Sequence, residues 1–83
     1  MQIILSLHAG RALLRPATFL GPASFEDYRR ACRAGGATFD RASKATTATL
    51  GDVDRLIVAL RQARFAIHLE LPLVEALGAY RQA

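Results

Sequence analysis

The sequence predicts a small α+β domain: a mainly antiparallel sheet with helices on one face, in the order ββαββαβ plus a C-terminal helix. Three observations predict it. Apolar residues alternate with period two at the start of the chain and again near its end. Two helical stripes separate the strand-like runs, and glycine or proline marks the turns between most of them. At 83 residues, 52% hydrophobic and 22% charged, the chain is long enough for one core and too short for two. Within that single domain, residues 1–23 read as a hairpin and loop, 24–70 as a central region and 71–83 as a closing helix.

Ile3, Leu5 and Leu7 alternate with Gln2, Ser6 and His8, which is strand periodicity with Ile4 as the exception. Gly10 allows a turn, and Arg11 to Arg15 return as a second strand until Pro16 removes a ladder donor. Gly21-Pro22 lies in a loop. Ser24 is the expected N-cap of a helix, with Glu26 in its first turn and Asp27 three residues on. Phe25, Tyr28 and Cys32 form its apolar stripe, and Gly35-Gly36 stops it. Ala37 to Asp40 and Lys44 to Thr49 read as a second hairpin about an Asp40-to-Ser43 turn. Thr49 or Gly51 opens the strongest helix, with Val53, Leu56, Ile57 and Leu60 on one face and Arg61 and Arg64 in its last turn. Phe65, Ile67, Leu69 and Leu71 then alternate as a half-buried strand, and Pro72 suits the first turn of the closing helix.

The chemistry for a free-standing enzyme is missing. Gly35-Gly36 lacks the spacing and the Lys-Ser/Thr of a phosphate loop, and no dinucleotide fingerprint follows a strand. Cys32 is the single cysteine; His8 and His68 fall on other elements, as outward-facing strand residues without metal-ligand spacing. No acid–base pair stands out, so neither catalysis nor a cofactor or metal is expected. No run nears the roughly 20 apolar residues a membrane span needs, and no cation precedes the first apolar run as in a signal peptide. A cytoplasmic protein without membrane contact is the expectation.

Eleven basic residues against seven acidic ones give a formal net charge of +4, and Lys44 is the only lysine. The arginine fork grips phosphate at two points and stacks on bases, so the bias suits nucleic-acid contact. Arg29, Arg30 and Arg33 project together on the helical wheel, Arg41 and Lys44 bracket a protruding turn, and Arg61 and Arg64 end a helix. These seven are the candidate phosphate-binding residues. Phe25, Phe39 and Phe65 fall on core faces, leaving Phe19 and Tyr80 as exposed aromatics; so few platforms favour phosphate contact with duplex over stacking along a single strand.

Two segments carry a family resemblance: Ser24-Phe25-Glu26-Asp27-Tyr28, and Gly36 through Phe39-Asp40 to Thr46, followed by Leu50 to Ile67. They resemble the accessory domain ahead of the motor in some superfamily 2 DNA helicases, the damage-recognition-type domain of XPB-like helicases and the related HARP domain of annealing helicases. Where HARP-like domains tend to carry a tryptophan after the hairpin turn, this chain has Thr46-Thr47. The resemblance implies DNA binding, favouring duplex, forked or distorted forms, in service of a helicase motor in cis or in trans. The alternative expectation is a protein-docking module with Leu73, Val74, Leu77 and Tyr80 of the closing helix, and Ile4 and Leu13 of the first hairpin, as its apolar surface.

Overall fold

A computed structural model describes residues 1–82. Strand β1 (Gln2–His8) pairs antiparallel with β2 (Arg11–Pro16) across a two-residue turn. Ala9 and Gly10 both have positive φ, +51° and +76°, which defines the mirror-image turn whose twist suits a hairpin. Helix α1 (Pro22–Ala34) leads to β3 (Thr38–Asp40) and β4 (Ala45–Ala48), a short antiparallel pair. A 3₁₀ turn (Leu50–Asp52) enters α2 (Val53–Gln62), β5 (Ala66–Leu69) follows, and α3 (Leu71–Gln82) closes the fold. The sheet order is β3-β4-β2-β1-β5, antiparallel throughout except for the parallel β1–β5 pair. The α+β expectation is met.

The strand registers sort the side chains into two faces. Ile3 and Leu5 of β1 lie beside Leu14 of β2 and Ile67 and Leu69 of β5, and join Ala12 and Ala48 in one core. Onto that face α1 brings Tyr28, Ala31 and Cys32, α2 brings Val53, Leu56 and Leu60, and α3 brings Leu73 and Leu77. The other face, with Ile4, Ser6, His8, Leu13 and Thr47, has no helix laid over it among the described residues, and there Arg11 Nε donates to Thr47 Oγ1.

Both long helices that lead into strands end in the same way. The N–H of Ala37 donates to the Cys32 carbonyl and that of Gly36 to Arg33, while Phe65 donates to Leu60 and Arg64 to Arg61. The left-handed residue in this cap is Gly36 (φ +88°) after α1 and Arg64 (φ +70°) after α2. Gly35 is needed for another reason: a Cβ there would stand 2.6 Å from the Leu56 Cα, so α1 and α2 meet backbone to backbone.

Three expectations about local structure are corrected. Helix α1 begins two residues before Ser24: Gly21 is its N-cap and Pro22 opens it, because proline's fixed φ and missing N–H suit the first helical position. Glu26 and Asp27 are therefore not in its first turn, and the boundary placed at residue 24 falls inside the helix. Strand β5 stops at Leu69, and Leu71 is exposed as the first residue of α3. Arg64 lies beyond α2, not in its last turn.

Two substitutions test these backbone constraints by urea unfolding. Gly35→Ala should cost about 1–3 kcal/mol, because the clash with Leu56 outweighs the smaller gain from removing a helix-end glycine. Ala9→Asn should raise stability by about 0.5–1 kcal/mol, since asparagine tolerates the left-handed conformation that alanine resists.

Candidate functional site

Helix α1 leans towards α2, and the sheet beyond its other flank stays uncovered. The space between α1 and the β3–β4 hairpin is an open groove of about 820 Å³. Arg29 and Arg33 line it one helical turn apart, facing Arg41 and Lys44 of the hairpin turn; Arg15 of β2 also borders it, but, paired with Ile4, it projects its side chain from the uncovered sheet face. Four of the eleven basic side chains thus face one space, and none of the seven acidic residues lines it. The remainder of the molecule is almost neutral. Every one of the four cations is exposed.

The hairpin turn also carries one acid, Asp40, between Phe39 and Arg41, and its ionised carboxylate offsets part of this charge. The Asp40 carboxylate accepts from the Ala42 N–H at 3.1 Å and from the Ser43 hydroxyl at 2.8 Å. The Ser43 bond first, and then the Ala42 bond, hold its pKa below the usual carboxylate value. Lys44 closes the turn at φ +55°, a conformation glycine adopts without cost; a cation stands there instead. Arg29 makes an exposed 3.3 Å pair with Glu26, which weakens its charge only slightly. Arg15, Arg33, Arg41 and Lys44 form no ion pair with any described residue.

The seven candidate cations do not form one face. Arg29, Arg33, Arg41 and Lys44 converge in the groove. Arg30 does not: with α1 buried along Tyr28, Ala31 and Cys32, its position about 100° past Arg29 carries it over the solvent ridge, where it pairs with Asp27 at 3.8 Å. It borders a shallow second depression with Arg64, between the ends of α1 and α2. Arg61 is exposed at the end of α2 and lines neither space.

The aromatics depart furthest from expectation. Phe39 is 60% exposed and Phe25 46% exposed, and both border the cationic groove instead of entering the core. Phe39 occupies the middle of a three-residue edge strand, opposite Thr46, where α1 does not reach it. Phe25 tilts against buried Tyr28 at 6.2 Å between ring centres, and Tyr28 meets Phe65 edge-on at 6.2 Å, so the outer ring is anchored to the core. These two rings are the groove residues that sequence reasoning missed. Phe19 and Tyr80 are exposed, as expected, but lie outside the groove.

The docking alternative loses its anchors. Leu73 and Leu77 are fully or almost fully buried against the sheet, because α3 turns that stripe onto β1; only Val74 and Tyr80 of the four remain exposed. Ile4 and Leu13 are half-buried on the uncovered sheet face. Elsewhere the acids near helix starts have local work: Asp52 accepts from Thr49 and Arg55, and Asp54 pairs with Arg81, tying α3 to α2.

Among the described residues, no cluster of histidine, cysteine, aspartate or glutamate is arranged to hold a metal, and no helix is long and apolar enough to cross a membrane. Burial pushes the Cys32 thiol at the groove floor up to about 11, so it stays protonated at neutral pH and is a poor nucleophile. Burial raises the neighbouring Tyr28 hydroxyl as well. No family model, no curated protein and no solved structure matches the chain, so the likeness to helicase accessory domains rests on the quoted segments alone.

The two raised acids link stability to alkaline pH. Both hold their protons more tightly when folded: the Cys32 contribution is complete below the ordinary thiol value of 9.0 and is lost as pH rises through about 11, while that of Tyr28 starts to fall only above its ordinary value of 10.0 and is lost at higher pH still. Urea midpoints should fall over that window, and Cys32→Ala should lose less than the parent across it; an equal loss in both proteins would assign the effect elsewhere.

Proposed function

We propose that this protein is a non-catalytic nucleic-acid-binding module that holds DNA through its phosphates in the groove between α1 and the β3–β4 hairpin. The observation that carries the reading is the groove's composition: four cations from α1 and the hairpin turn, and no carboxylate among the lining residues. Three of the four are arginines, whose planar forks match phosphate oxygens in pairs.

The likeness to helicase accessory domains supplies the setting. A helicase or translocase motor, in the same polypeptide or as a separate protein, is the partner this reading implies, with the module positioning forked or distorted DNA for it in the cytoplasm. With so few phosphate contacts, affinity is modest and strongly dependent on salt.

Titration of labelled forked DNA at two salt concentrations tests the proposal. Log K should fall by about 0.9 per phosphate neutralised for each decade of salt. The double variant Arg41→Ala/Lys44→Ala should flatten that slope by about 1–2 units, whereas Arg61→Ala, outside the groove, should leave it unchanged. Absence of binding at low salt would falsify the reading.

A further inference from the structure

We infer that the groove takes a single, unpaired strand, one base of which stacks on Phe39 while flanking phosphates are held by Arg29, Arg33, Arg41 and Lys44. This rests on the phosphate-binding reading above and adds what the bases do. A groove made only to hold phosphates needs cations and hydrogen-bond donors; it has no use for two large apolar rings left in water. Here Phe39 and Phe25 border the same space as the arginines, one on the hairpin and one on the helix. That pairing of ring faces with a cationic track is what strand-binding surfaces use, because every base offers a flat face whatever its identity.

The state of the bases then separates the possible forms of nucleic acid. In a duplex the base faces are already stacked on one another, and the two rings would meet only sugar and phosphate edges. Reaching a base would require unstacking it first. A single strand presents its bases freely, and a groove of about 820 Å³ has room for a base with its sugar and phosphate. Phe25 is held by Tyr28 behind it, so that ring is in place before any ligand arrives.

Anisotropy titrations with a labelled oligodeoxythymidine of about 12 nucleotides, and with a duplex of equal length, provide the test. The single strand should bind more tightly at matched salt. Phe39→Ala should weaken single-strand binding by about 5- to 100-fold without changing the salt slope or duplex binding, because the ring carries no charge. Phe19→Ala, which removes a still more exposed ring outside the groove, should have no effect. Should Phe39→Ala fold poorly, Phe39→Trp replaces it: the chain has no tryptophan of its own, so quenching of the new indole emission by the oligonucleotide reports stacking directly. Equal binding of both forms with no loss in Phe39→Ala and no quenching in Phe39→Trp overturns this inference and leaves phosphate binding standing. Failure of both probes to bind at low salt overturns the two together.

Discussion

The backbone contact between α1 and α2 at Gly35 and Leu56 decides where everything else can go. Without a side chain at Gly35, α1 settles against α2 while Tyr28, Ala31 and Cys32 enter the common core. A helix of this length cannot also cover the far edge. The β3–β4 corner is therefore left open, and the surface there is the exposed flank of α1 facing the hairpin. The groove is a consequence of helix packing, and the side chains that line it only give it a chemical character.

That character comes from several small local choices that agree. The hairpin places Lys44 in a left-handed conformation, engages Asp40 within its own turn and sets Phe39 on an edge too short to be covered. Helix α1 offers Arg29 and Arg33 from one flank, with Phe25 steadied by Tyr28. Each choice sacrifices a little local comfort: a strained residue, two wet aromatic rings and a group of like charges. Two exposed aromatic rings set beside a group of like charges are more economically explained by binding than by folding.

Periodicity exposed the core because burial and periodicity are the same physical fact seen from two sides. Ile3 and Leu5 of β1, and Val53, Leu56 and Leu60 of α2, could be placed from spacing alone. The groove could not, for reasons residues make plain. Three residues of β3 are too few to show an alternation, so the sequence does not separate an edge Phe39 from a core one. The flank of Arg30 depends on where the buried centre of α1 lies, and that centre includes Ala31 and leaves out the exposed Phe25. Two helix-start signals, Pro22 and Ser24, competed within three residues, and the covalent constraint prevailed over the hydrogen-bonding preference. Convergence of α1 with a hairpin turn depends on how α1 meets α2, which no local pattern encodes.

The uneven placement of charge also acts at a distance. With its excess positive charge gathered at one corner and the rest of the body near neutrality, the molecule has a permanent dipole directed through the hairpin. An approaching polyanion exerts a torque that turns this corner forward before contact, so encounter is steered rather than random. The benefit fades within the Debye length, about 8 Å at physiological ionic strength, which makes the speed of capture more sensitive to the surrounding electrolyte than the shape of the bound state.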